Sequence, residues 1–62
     1  MKIVYRAIDV LRELGIDEDM SYKGIEYQRL LDAVILLLHT PKSLVRNKIT
    51  LQLIVDVVHI RD

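Results

Sequence analysis

Residues 33–38 read Ala-Val-Ile-Leu-Leu-Leu, an unbroken apolar run inside a longer helical pattern. A helix that is apolar all round must be covered on every side, by its own domain or by a neighbour. The run is far short of the ~20 residues needed to cross a bilayer, so the cover has to be protein. With only 62 residues the chain makes one domain, 1–62, near the lower limit for folding without staples. Cysteine is absent and 52% of the residues are hydrophobic. Disulfides and thiolate metal sites are therefore excluded. So much apolar surface on so short a chain predicts a homodimer or a protein partner, burying area at roughly 25 cal/mol per Å².

Residues 2–14 place Ile3, Val4, Ala7, Ile8, Leu11 and Leu14 at helical spacing, with Lys2, Arg6, Asp9 and Glu13 on the other side. Gly15 follows where a left-handed helix cap is wanted. Asp17, Glu18, Asp19 and Ser21 form an acidic loop, and Asp19 and Ser21 are placed to cap the next helix. That helix is expected from about Lys23 to His39, with Gly24 in a tight turn at its start. Ile25, Leu30, Leu31 and Val34 face inward, and Glu26, Gln28, Arg29 and Asp32 face water. Thr40-Pro41 ends it and predicts a new helix near Pro41. The tail 49–60 is rich in β-branched residues, which suits a strand. Its polar positions, Lys48, Gln52, Asp56 and His59, instead recur at helical steps. A lone strand would have nothing to pair with inside its own chain, so the tail is read as helix; the alternative is a strand that pairs across a dimer. The expected fold is all-α, a compact bundle of three to four short helices completed by dimerisation.

Nine basic and nine acidic residues balance, which argues against a nonspecific nucleic-acid coat. Residues 1–32 carry five basic and seven acidic residues and 33–62 carry four and two, so the halves differ in sign. Met1-Lys2 is followed by mixed polar residues, with no leader-like apolar run; a soluble, cytoplasmic protein is expected, with no membrane association. His39 and His59 sit in no nucleophile or metal motif. His39 is read as serving the end of its helix, and His59 as solvated. Asp17, Glu18 and Asp19 lack the pattern of a calcium loop, and two glycines cannot build a phosphate cradle. An enzyme, a cofactor or a metal is not expected. Tyr5 and Tyr27 are expected at the border of the core with wet hydroxyls. Leu36, Leu37, Leu53, Ile54, Val57 and Val58 are the candidate interaction residues. Lys42, Arg46 and Lys48 could meet phosphates if nucleic acid is bound, which is the less favoured reading.

One pattern goes beyond periodicity. Leu11, Glu13, Leu14, Gly15 and Ile16, then Lys23-Gly24, then Tyr27, Leu30, Leu31, Asp32, Ala33 and Val34 resemble the opening of the DNA-binding effector domain of the sporulation master response regulator. That family runs approximately as a leucine-rich helix ending E-L-G-[IV], a short loop, K-G-Y, and a helix of the form Y-x-x-L-L-E-A-I. Thr40-Pro41 with Leu44, then Ile49-Thr50, is similar to its third helix and the start of its fourth. Here the first loop is longer, and Ile25-Glu26 interrupts the K-G-Y run. The family's helix-turn-helix begins where this chain has residues 51–55, and its recognition helix would lie beyond Asp62. The resemblance thus implies a helical scaffold with no base-reading residue carried over. That suits a small bacterial or phage regulator docking on a larger protein, with transcriptional control as the first guess; the alternative is a minimal DNA-binding regulator using the basic segment 41–48.

Overall fold

The computed structural model describes residues 2–40 and 48–61. In chain order these form helix α1 (Lys2–Glu13), strands β1 (Ser21–Tyr22) and β2 (Ile25–Glu26), helix α2 (Tyr27–His39) and helix α3 (Leu51–Arg61). The described chain is mainly helical, as expected, with a small two-stranded antiparallel sheet that was not.

Helix α1 is the amphipathic helix its spacing predicts. Ala7 and Leu11 are fully buried, and Ile3, Ile8 and Leu14 pack beside them. Tyr5 falls on the opposite side of the helix and is 70% exposed, so it is a surface residue and does not border the core. The helix ends on Gly15, whose φ of +87° is the left-handed conformation that glycine tolerates best. The Gly15 N–H donates to the Arg12 carbonyl at 3.0 Å, and the Ile16 N–H reaches back to Leu11 at 2.9 Å. This pair of bonds is the Schellman motif. It turns Ile16 inward, where it is buried, as the apolar contact that accompanies that motif requires.

The second helix starts later than its sequence suggests. Tyr22 pairs with Ile25 and Ser21 with Glu26, leaving Lys23 and Gly24 as a two-residue turn. Their φ values, +53° and +79°, are both positive, as in a type I′ turn, whose twist matches that of the flanking strands. Gly24 thus sits in a tight turn, but of a hairpin; it does not open a helix. Ser21 is likewise spent in β1 and does not cap α2. The N-cap is Glu26, with extended backbone and no side-chain capping bond.

Helix α2 buries Leu30, Leu31, Ala33, Val34, Leu37 and Leu38. Both α1 and α3 pack on it, and among the described residues α1 and α3 scarcely meet. The apolar run is therefore covered mostly from within the chain; only Leu36, 43% exposed, faces away. Thr40 closes the helix: its N–H donates to Leu37 at 3.1 Å and its hydroxyl to Leu36 at 3.1 Å. It therefore serves the carbonyls that had been assigned to His39. Its ψ of 130° is the extended setting that a following proline favours. The helix expected from Pro41 lies outside the described residues.

The tail is helical. Thr50 caps α3, accepting at its hydroxyl from the Leu53 N–H (3.3 Å), while its carbonyl accepts from Ile54 (3.0 Å). The Cα radius of gyration, 10.6 Å, equals the value of about 10.6 Å expected for one folded chain of this length. No helix of the described residues is long and apolar enough to cross a membrane.

Candidate interaction surface

Helix α3 is divided lengthwise into three rows. Ile54, Val55 and Val58 are buried against α2 and its neighbours. Gln52, Asp56 and His59 form the polar row, all exposed, and the Gln52 amide donates to Asp56 Oδ1 at 2.8 Å. The third row is Leu53, Val57 and Ile60, at steps of four and three. Leu53 and Val57 are half-buried and Ile60 is 82% exposed. A single solvent-facing apolar side chain is ordinary on a protein surface. Leu53 and Val57 pack against the edge of the core, and Ile60, almost wholly in water, continues their row beyond it.

This arrangement sorts the residues expected at an interface. Leu37, Ile54 and Val58 are buried in the chain's own core and are not presented to a partner. Leu36 is exposed, and Leu53 and Val57 are partly so. Ile60 was missed, although continuing the Leu53–Val57 row by one helical step reaches it. Lys42 and Arg46 lie outside the described residues, and Lys48 is exposed.

Leu36 belongs to the outer row of α2 that also carries Arg29 and Asp32. Between that row and α3 runs a shallow cleft of about 180 Å³ lined by Arg29, Asp32, Ala33, Val58 and Arg61. Residues of the first half of α2 thus face the last turns of α3 across this cleft. Arg61 lies in that last turn, where a cation suits the negative end of the helix dipole.

Among the described residues there is no buried polar side chain and no group of three His, Asp or Glu that could hold a metal ion. His39 and His59 lie at exposed positions on different helices. Searches against protein-family models, curated proteins and solved structures gave no match for this chain.

Proposed function

We propose that this chain is a small non-enzymatic interaction module of the cytoplasm that self-associates and docks on a larger bacterial protein, with a transcription regulator as the first class to test. The observation that carries the reading is the Leu53–Val57–Ile60 row. A chain this short gains stability from every apolar side chain it can bury, yet this row runs from the edge of the core at Leu53 and Val57 out to Ile60, which stays exposed. Exposed apolar side chains are anchors of protein contacts where they cluster, and Leu36 of α2 is exposed as well. The likeness to a transcription effector domain fits the same role.

The test is sizing by light scattering and sedimentation across concentration, with Ile60→Asp as the control. Self-association of the wild-type chain that the substitution weakens supports the reading; a monomer at all concentrations removes its self-association half. For the larger partner, capture from the native host is compared between the wild-type and Ile60→Asp baits. A partner held equally by both shows that this stripe is not the docking surface.

A further inference from the structure

The core of the described chain is built from Ala, Val, Leu and Ile alone, and cysteine is absent from the sequence. Among the described residues sulfur occurs only at Met20, which is 45% exposed in the loop between α1 and β1. We infer that Met20 is a reversible oxidation site, at which the sulfoxide oxygen replaces the thioether sulfur as acceptor of the Asp17 N–H and leaves the fold intact.

The loop holds the sulfur in place. Residues 17–20 form a turn in which the Met20 N–H donates to the Asp17 carbonyl at 3.0 Å. The Met20 side chain folds back over this turn, and its Sδ accepts from the Asp17 N–H at 3.4 Å. A thioether is a weak acceptor, so the reduced chain serves this amide poorly. A sulfoxide oxygen carries partial negative charge and accepts far better. Met20 is not among the residues packed on the core, so its side chain can draw back to seat the longer S–O group. Oxidation of a buried methionine forces a polar group into a core; here the oxygen lands at the surface, on a donor already in place.

The oxidant that fits is a peroxide. Hydrogen peroxide is uncharged and is not repelled by the exposed carboxylates of Asp17, Glu18 and Asp19. One sulfur lone pair faces the Asp17 N–H, which leaves the other as the nucleophile. It attacks one peroxide oxygen, and the S–O bond forms as the O–O bond breaks. The proton of the attacked oxygen passes to the departing one, which leaves as water. Sulfur gives up two electrons and the peroxide takes them. Because attack comes from a fixed side, one sulfoxide epimer forms in preference to the other. A methionine sulfoxide reductase of matching stereochemistry returns the thioether.

The test is treatment of the folded full chain with hydrogen peroxide, with peptide mapping to separate Met20 from Met1. Met20 should react at a rate within about fivefold of a free methionine derivative. The two epimer-specific reductases should divide its sulfoxide unequally, by about threefold or more. The oxidised chain should keep its helical circular dichroism and melt within about 3 °C of the reduced chain. Hydrogen exchange at the Asp17 amide should slow about fivefold on oxidation. In Met20→Leu, which keeps the bulk of the side chain but removes the acceptor, the same amide should exchange faster than in the wild type. Slower reaction than that range, an even mixture of epimers, or loss of helix on oxidation each overturns the proposal. So does exchange at Asp17 that neither oxidation nor Met20→Leu changes, because the amide would then make no use of this side chain.

Discussion

Replacing Gly15 by each enantiomer of alanine separates backbone conformation from packing at the end of α1. Gly15 holds φ at +87°, and a Cβ added there would meet nothing within 4 Å. The cost of an L side chain is then purely conformational. An L-residue in the left-handed region costs roughly 1–2 kcal/mol relative to glycine. A domain of this size has total stability on the order of 3–9 kcal/mol, and 1 kcal/mol moves its midpoint by roughly 4–8 °C. Gly15→Ala should accordingly lower the thermal midpoint by about 4–16 °C. D-alanine prefers positive φ, finds the same open space, and narrows the unfolded ensemble. It should therefore raise stability by about 0.4–1 kcal/mol. A chain of 62 residues is within reach of chemical synthesis, and thermal unfolding followed by helical circular dichroism reads both variants. If the two enantiomers destabilise equally, the penalty comes from crowding and the conformational argument is wrong.

Other positions give sharper or simpler tests. Lys23, at φ +53°, is a long side chain where a type I′ turn prefers asparagine; Lys23→Asn should stabilise the fold by about 0.5 kcal/mol, read by urea unfolding, and a loss would refute the turn assignment. Ile54, fully buried, should cost about 2–5 kcal/mol as alanine, enough to leave much of the chain unfolded by circular dichroism at 37 °C; a cost under 1 kcal/mol would place it outside the core. Ile60→Asp should change the melting temperature of the dilute protein by less than about 3 °C, because it touches the surface only. A gel-shift assay across salt should show no binding of duplex DNA even at low ionic strength; binding that weakens steeply with salt would move the function to segment 41–48.

The sequence showed some of these features well and others hardly at all, for identifiable reasons. α1 was legible from end to end because its apolar spacing is regular and Gly15 marks a conformation few other residues adopt. The tail was legible as helix because four polar residues kept a helical interval within a β-branched stretch. The hairpin was hidden. Strands of two residues cannot display alternation, Lys-Gly is a weak turn signal beside Asn-Gly, and Asp19 and Ser21 offered a plausible helix cap in its place. The exposure of the candidate interaction residues was half legible. Where every position of a stretch is apolar, as in 53–55 and 57–58, composition does not say which side chains the chain keeps for itself. That division depends on the angle at which α3 meets α2.

Because α1 and α3 each rest on α2 and scarcely on one another, the domain has a hub and two spokes of unequal kind. The α1–hairpin–α2 portion is continuous in sequence, and α1 meets α2 more extensively than the last helix does. Among the described residues the last helix joins mainly through α2. Opening of α3 would uncover Ile54, Val55 and Val58 while leaving the rest assembled, so its amides should exchange with solvent at lower free energy than those of α2. A partner held on the exposed side of α3 would hold that door shut, so any such binding and local folding at this end of the chain would be one equilibrium.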